Sequence, residues 1–156
     1  MKVKTGDEAP QFTLVDQDGE EWSLAAHRGS PVVVYFFPKA DTPGCTTQAC
    51  DIRDHWGEFG DLGVEVVGIS PDQQDEMAKF AGKYDLPHRL LGDPERQAIE
   101  AYGAWGEKKM YGKAYEGVLR SSVVIGADGR VAAVFDAIKP KEQSERALGA
   151  VKALAG

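Results

Sequence analysis

An unbroken run of β-branched and aromatic residues near the start of the chain most constrains its fold. Pro31 is followed by residues 32–37, with the sequence VVVYFF. A strand with one face in water would alternate apolar and polar residues, whereas this run suits a strand buried on both faces. Such strands occur where helices cover both sides of a sheet. The run therefore predicts an α/β fold with residues 32–37 at its centre.

The rest of the chain alternates extended and helical patterns around that strand. Strands are predicted at 12–15, 21–24, 64–70, 88–91, 121–125 and 130–135, and helices at 43–59, 72–84, 94–102 and 141–154. Asp-Gly turn sequences at 18–19 and 128–129 predict a hairpin at each end of the chain. Residues 103–117 have no clear period, and we interpret them as a long surface loop. The expectation is one α/β domain over 1–156, with a central mixed sheet flanked by helices and an N-terminal β-hairpin.

Charge and hydropathy exclude several classes of partner. The formal net charge is −7 and the basic residues are scattered, so neither a nucleic acid nor an anionic membrane is expected as a partner. The longest apolar run, 32–38, is far shorter than the roughly 20 residues that span a membrane. The N-terminus lacks the apolar centre of a signal peptide, so we expect a cytoplasmic location. In a reducing compartment, a close cysteine pair serves catalysis or metal binding more often than structure.

The first cysteine lies where a helix is predicted to begin. Thr42 is a residue type that favours the N-cap position, and Pro43 is favoured in the first turn. Cys45 then becomes about the third helical residue, just beyond the central strand. Unpaired backbone N–H groups and the helix dipole favour negative charge there, so we expect Cys45 to react as a thiolate.

The second cysteine, Cys50, lies five residues further along the same predicted helix. Ideal helix geometry separates the two Cα atoms by roughly 8–9 Å, whereas a disulfide needs them within about 7 Å. A Cys45–Cys50 bond therefore requires the first turns to unwind. Two inert buried cysteines are the plainer alternative. A metal site formed by Cys45, Cys50 and His55 is disfavoured because these side chains point in different directions around the helix. A thioredoxin-type dithiol is disfavoured because four residues, rather than two, separate the cysteines.

The residues around Cys45 resemble the active-site motif of peroxiredoxins. The motif is Pro38-x-x-x-Thr42-x-x-Cys45. The position of the second cysteine, Cys50, five residues later resembles that in the bacterioferritin comigratory protein (PrxQ) subgroup. The resemblance extends over nearly the whole chain, including Gly6-Asp7-x-Ala9-Pro10-x-Phe12 and Gly117-Val118-x-Arg120-Ser121.

The resemblance implies a thioredoxin-like fold and a thiol peroxidase that works as a monomer. Cys45 would be the peroxidatic cysteine and Cys50 the resolving cysteine. Thr42 would direct its hydroxyl at the peroxide and the sulfur, Pro38 would shield the pocket from water, and Arg120 would approach the thiol from a neighbouring strand. The substrate would be a peroxide and the reductant thioredoxin or a similar dithiol. No metal, haem or flavin cofactor is expected.

Two other functions use the same cysteine pair. A redox sensor or holdase would be oxidised once without turnover, since sensor cysteines also stand exposed beside a resolving partner. A thiol–disulfide oxidoreductase acting on proteins fits less well, because its disulfide would require unwinding in every cycle. Among the other residues, Arg53 and Asp54 are interpreted as pairing charges, and His27, His55 and His88 as surface or hydrogen-bonded histidines. Three side chains of the loop would either wall the pocket or form a separate apolar cluster: Trp105, Met110 and Tyr111.

Overall fold

The computed structural model describes residues 1–155 and has a seven-stranded mixed sheet as its centre. The described residues form nine strands, of which β6 and β7 make a separate two-stranded sheet. The strands are β1 (Thr13–Asp16), β2 (Glu21–Ser23), β3 (Val32–Phe36), β4 (Glu65–Ser70), β5 (Arg89–Gly92), β6 (Trp105–Met110), β7 (Lys113–Val118), β8 (Ser121–Ile125) and β9 (Val131–Phe135). Its helices are α1 (Pro43–Asp54), α2 (Trp56–Asp61), α3 (Gln74–Tyr84), α4 (Gln97–Tyr102) and α5 (Gln143–Ala155), with 3₁₀ turns at Leu24–His27 and Pro140–Glu142. The sheet order is β2-β1-β5-β4-β3-β8-β9.

The sequence run around residue 34 forms the central strand, as predicted. All five residues of β3 are buried, and β3 pairs in parallel with β4 and antiparallel with β8. Both predicted hairpins are present as β1–β2 and β8–β9. The predicted α/β class, with a mixed sheet, flanking helices and an N-terminal hairpin, is therefore confirmed.

Alternate residues of β3 point into two separate apolar clusters, one on each face of the sheet. On one face, Val32, Val34 and Phe36 pack with the N-terminal segment and α4. On the other face, Val33 and Tyr35 pack with α1, α3 and α5. Burial of both faces explains why this strand carries no charged residue and only one side-chain polar group, the Tyr35 hydroxyl, which is hydrogen-bonded to His88. It also fixes α1, the helix that begins with the cysteine motif, against the sheet.

The prediction of a long surface loop at 103–117 is wrong, because this segment contains a hairpin. Strands β6 and β7 pair antiparallel in register from Trp105↔Val118 to Met110↔Lys113. Tyr111 and Gly112, both at positive φ (52° and 77°), form the two-residue turn that such a register requires. Most of the segment is polar and exposed, so it lacks the apolar alternation by which strands are recognised. Tyrosine is also an unusual residue at positive φ.

The single helix predicted at 43–59 is divided at His55. His55 Nδ1 lies 2.7 Å from the Asp51 carbonyl oxygen, which a regular helix would pair with the His55 amide. The His55 amide instead donates to Ile52 at 3.1 Å. The His55 side chain thus takes the place of the His55 amide at the Asp51 carbonyl, and α1 ends at Asp54. A second helix, α2, begins at Trp56.

Of the two alternatives expected for His88, a surface or a hydrogen-bonded histidine, the structure shows the second, with the ring buried near Tyr35 and Trp56. Its Nε2 lies 2.7 Å from the Tyr35 hydroxyl, and its Nδ1 has no hydrogen-bond partner among the described residues. Burial lowers the pKa of His88 to about 3, from an ordinary value of 6.5. The folded protein therefore binds the histidine proton less readily than the unfolded chain does.

We expect His88 to make the protein less stable in mild acid. A folded-state pKa below the unfolded value leaves stability intact above pH 6.5 and removes it progressively toward pH 3. Between about pH 7 and pH 5 the loss from this residue comes to about 2 kcal/mol. Urea unfolding of His88→Phe should show a pH dependence weaker by that amount. An identical pH dependence of stability in both proteins would contradict the lowered pKa of His88.

Candidate active site

Cys45 is the third residue of α1 and lies just beyond the C-terminal end of β3, as the sequence predicts. Its side chain is buried at 1 % exposure and packs in the apolar cluster that contains Tyr35 and Ala49. Thr42 has the extended backbone of an N-cap residue, and Pro43 occupies the first turn. A thiol at this position faces the positive end of the helix dipole, which stabilises a thiolate.

Arg120 reaches Cys45 from the segment that joins β7 to β8. Its Nη2 donates to Cys45 Sγ at 3.4 Å. Glycine at position 44 permits this approach, because a Cβ there would come within 2.9 Å of the same nitrogen. The structure thus brings together Cys45 and Arg120, which lie 75 residues apart in sequence. A permanently charged donor at the sulfur adds to the effect of the helix dipole.

Gln48 belongs to the same cluster and was not identified from the sequence. Arg120 Nη1 donates to Gln48 Oε1 at 2.7 Å, and the glutamine is fully buried. Gln48 follows Cys45 by three residues, so both side chains lie on one face of α1. That spacing was the available sequence signal. The bond holds the guanidinium while its second nitrogen contacts the sulfur.

The side chain of Thr42 does not cap α1, contrary to the expectation from its residue type. Its hydroxyl donates to the Lys39 carbonyl at 2.8 Å, and no side-chain capping bond is formed. Because the Thr42 hydroxyl donates its proton to the Lys39 carbonyl, its oxygen can accept a hydrogen bond from another group. Pro38 is half-buried between the end of β3 and this turn.

The loop that enters α1 is held to α3 and to the end of β4. Asp41, at a positive φ of 61°, accepts from Lys83 Nζ at 2.8 Å and from the Tyr84 hydroxyl at 2.7 Å. The lysine hydrogen bond is the main cause of a lowered pKa at Asp41. The Ala40 amide donates to the buried Asp72 carboxylate at 2.7 Å. These contacts fix the start of α1 from outside the helix.

Cys50 is half-buried further along α1, and both cysteines are free thiols. The helix runs without interruption from Pro43 to Asp54, so both cysteines lie in regular helical backbone. The helical spacing on which the sequence argument relied is therefore present. Arg53 pairs with Asp54 at 3.1 Å and donates to the Tyr84 carbonyl at 2.8 Å, consistent with a pairing role.

A mainly apolar cleft of about 390 Å³ is lined in part by Arg120. Leu119, Ile138 and the two lysines 108 and 139 line it. Burial, with a smaller contribution from Arg120, lowers the pKa of Lys108. Tyr111 does not wall this cleft, since it is 98 % exposed at the hairpin turn.

The other two side chains assigned to that wall have different outcomes. Trp105 packs against the main apolar core rather than in a separate cluster, and Arg96 Cζ lies over its ring at 4.2 Å from the centroid. The Met110 side chain lies outside the described residues. Within residues 1–155, no group of three or more His, Cys, Asp or Glu side chains is arranged to hold a metal ion. None of the helices described is long and apolar enough to cross a membrane.

This fold and this thiol together define a class of protein: a thiol-dependent redox enzyme built on a mixed sheet, with its cysteine at the start of a helix. The family model for the AhpC/TSA family matches residues 5–134. The chain therefore belongs to the AhpC/TSA family and is a peroxiredoxin of the bacterioferritin comigratory protein (PrxQ) type.

Individual relatives support that membership. The chain is 46 % identical over 150 residues to peroxiredoxin Bcp of Escherichia coli K12, with 96 % of each chain covered. It is similar to the crystal structure of peroxidoxin BcpB from Mycobacterium tuberculosis, at a TM-score of 0.86 and 34 % identity, covering 97 % of this chain and 98 % of that one. It is also similar to the bacterioferritin comigratory protein of Xanthomonas campestris, at a TM-score of 0.90 and 29 % identity, covering 99 % of each. The thioredoxin-like fold implied by the sequence is confirmed.

Proposed function

We propose that the chain reduces hydrogen peroxide and organic hydroperoxides at Cys45, as the peroxidatic cysteine, in a cycle that uses Cys50. The observation that carries the proposal is the contact between Arg120 Nη2 and Cys45 Sγ at the start of α1. A cation and a helix N-terminus directed at one sulfur favour the thiolate, which is the nucleophile. The X. campestris relative is described for alkyl peroxide reduction, which supports the wider substrate range.

The first chemical step is attack of the Cys45 thiolate on one peroxide oxygen. The S–O bond forms as the O–O bond breaks, so sulfur is oxidised to a sulfenic acid and the peroxide is reduced to an alcohol or water. The departing oxygen takes up a proton. Arg120 and the backbone N–H groups of the first helical turn would stabilise its developing charge.

Thr42 and Pro38 are proposed to arrange the peroxide. Because the Thr42 hydroxyl donates to Lys39, its oxygen has lone pairs available to accept from the O–H of a bound hydroperoxide. Half-buried Pro38 would limit access of water to the site. The cleft that Arg120 helps to line would offer an approach for the substrate.

Cys50 is proposed as the resolving cysteine. Its thiol attacks the sulfenic sulfur, the disulfide forms and water leaves. A dithiol such as thioredoxin then reduces the disulfide by exchange. Both cysteines lie in one helix, so no second chain is needed, and we propose that the protein works as a monomeric single domain in the cytoplasm. Nothing in this sequence of steps requires a metal, haem or flavin.

Turnover distinguishes this proposal from a redox sensor or holdase. We expect NADPH consumption with thioredoxin and thioredoxin reductase to continue until the peroxide is exhausted, through many equivalents of peroxide for each protein chain. A sensor would stop after a single equivalent. Consumption that ends at one equivalent, with thioredoxin in excess, would overturn the peroxidase proposal in favour of the sensor.

Arg120→Met should slow peroxide attack by at least about tenfold, a minimum set below the roughly 10²–10³-fold loss that removal of one oxyanion-stabilising donor produces. It should also decrease the thiolate absorbance at neutral pH, because a nearby cation favours the thiolate. Stopped-flow oxidation and ultraviolet titration measure the two effects. Arg146→Met is the matched control, since that arginine is exposed and pairs only with Glu142 in the described contacts. Unchanged rate and absorbance in Arg120→Met would leave Arg120 a structural residue.

A further inference from the structure

The active-site arginine is connected to the C-terminal helix by a chain of buried side-chain hydrogen bonds. Arg120 donates to Gln48, Gln48 Nε2 donates to Gln143 Oε1 at 2.8 Å, and Gln143 Nε2 donates to Ser122 Oγ at 3.1 Å. Gln48, Gln143 and Ser122 are all fully buried. We call this chain the glutamine relay. Gln143 lies beyond residues 5–134, the part of the chain that the family model matches.

The direction of every bond in the glutamine relay is fixed by chemistry. A guanidinium has only donors, so the Gln48 carbonyl must face Arg120, and the Gln48 amide nitrogen then faces away from it. The only group that satisfies this nitrogen is an acceptor, which Gln143 supplies through Oε1. The remaining Gln143 nitrogen donates to the Ser122 hydroxyl. No member can rotate its amide without placing two donors or two acceptors face to face.

We propose that Gln143 is a positioning residue for the reaction at Cys45, acting through Gln48 and Arg120. This rests on the proposed function of Cys45. Without the Gln143 acceptor, the buried Gln48 amide nitrogen has no partner, so the Gln48 side chain is favoured to shift toward another acceptor and away from the guanidinium. Arg120 would then lose the bond that holds Nη1 while Nη2 contacts Cys45 Sγ. Gln143 thus sets the reactivity of a thiol that it does not touch.

A purely structural role for Gln143 is the competing explanation. The N-terminus of α5 is also attached to α1 by Ser144, whose amide donates to Asp51 Oδ2 at 2.8 Å and whose hydroxyl donates to the Asp51 carbonyl at 3.0 Å. Gln143 could serve this attachment alone. Ser144 contacts α1 outside the glutamine relay, so the two roles are separable by mutation.

The test is a double-mutant cycle between Gln143 and Arg120. Gln143→Met keeps an unbranched side chain of similar length and removes both amide bonds. We expect the second-order rate constant for oxidation of Cys45 by hydrogen peroxide to fall about tenfold with Arg120 present, and by less than about twofold in an Arg120→Met background. An equal loss in both backgrounds would overturn the proposal, and so would an unchanged rate with Arg120 present.

Two serine variants provide a matched pair. Ser122→Ala removes the last acceptor of the glutamine relay and should slow oxidation about threefold, again only when Arg120 is present. Ser144→Ala removes a bond of the same kind outside the relay and should leave the rate unchanged. Ser122→Ala carries the test if Gln143→Met does not fold. A loss in Ser144→Ala equal to the loss in Ser122→Ala would mean that attachment of α5, and not the relay, is responsible.

A readout without peroxide separates this proposal from the proposed function. In a Cys50→Ser background only Cys45 is alkylated by iodoacetamide, and the alkylation rate follows its thiolate fraction. The pH profile of alkylation should move to higher pH in Gln143→Met, as it should in Arg120→Met. If the chain failed to turn over peroxide, the proposed function would fall, while this profile would still decide the role of Gln143. An unmoved profile would refute that role.

Discussion

Cys45→Ser is expected to reduce peroxide consumption to the rate of the reaction without enzyme. Serine fills nearly the same volume and keeps the position beside Arg120, but its hydroxyl is not ionised at neutral pH and is a weak nucleophile toward peroxide. No other cysteine occupies a helix start in this chain, whose second cysteine lies in the interior of α1. The measurement is steady-state turnover with the thioredoxin system, at a fold stability checked by urea unfolding.

Cys50→Ser is the matched control for that experiment. It should leave the first oxidation of Cys45 as fast as in the parent protein, because Cys50 is not part of the contact between Arg120 and the sulfur. It should end turnover that depends on an intramolecular disulfide, and the sulfenic acid should persist or become over-oxidised. Retained turnover in Cys45→Ser would contradict the assignment of the nucleophile.

The second large effect is expected in hydrogen exchange of α1. In the reduced protein both cysteines lie within the regular helix Pro43–Asp54, where ideal geometry holds their Cα atoms roughly 8–9 Å apart. A disulfide brings Cα atoms within about 7 Å, so the first turns must unwind. Gly44, Thr46 and Thr47 are weak helix formers and oppose this change little. Amides of residues 46–50, which are hydrogen-bonded within the reduced helix, should therefore exchange at least about tenfold faster in the disulfide form.

The external attachments of the loop should weaken together with the helix. The contacts of Asp41 with Lys83 and Tyr84 are partly exposed and hold the backbone just before Thr42. Amides of the central strand β3 provide the internal control and should keep their protection. Equal protection of residues 46–50 in both states, with the disulfide confirmed by mass, would mean that the bond forms without unwinding. The two cysteines would then come within disulfide reach while the helix stays intact.

The parts predicted well are those where one local pattern determines the structure. The apolar run predicts β3, and the Thr-Pro start of a helix places Cys45 at its third residue. The hairpin β6–β7 was missed because its strands are largely exposed, so burial imposes no alternation on them. The helix is divided at His55 because the His55 ring, rather than its backbone amide, bonds to the Asp51 carbonyl. That outcome depends on side-chain geometry, which the sequence pattern does not reveal.

The candidate site shows the same division between local and distant information. The motif residues were identified from the sequence because they lie within eight positions of each other, from 38 to 45. Arg120 was identified only through the family resemblance, since no spacing argument links residues 75 positions apart. Gln143 carried no sequence signal, because its partner Gln48 is 95 residues away and comes near it only through the packing of α5 on α1.

In the proposed cycle, Cys45 is oxidised by peroxide and Cys50 then joins it in an intramolecular disulfide. The most direct test of this cycle is peptide mapping of the reduced protein after addition of one equivalent of hydrogen peroxide, with free thiols blocked before digestion. We expect a single disulfide-linked product that joins Cys45 to Cys50 within one chain, and we expect reduced thioredoxin to remove it. Peroxide-treated protein with Cys50 still free, or with the two cysteines linked between different chains, would contradict the proposed cycle.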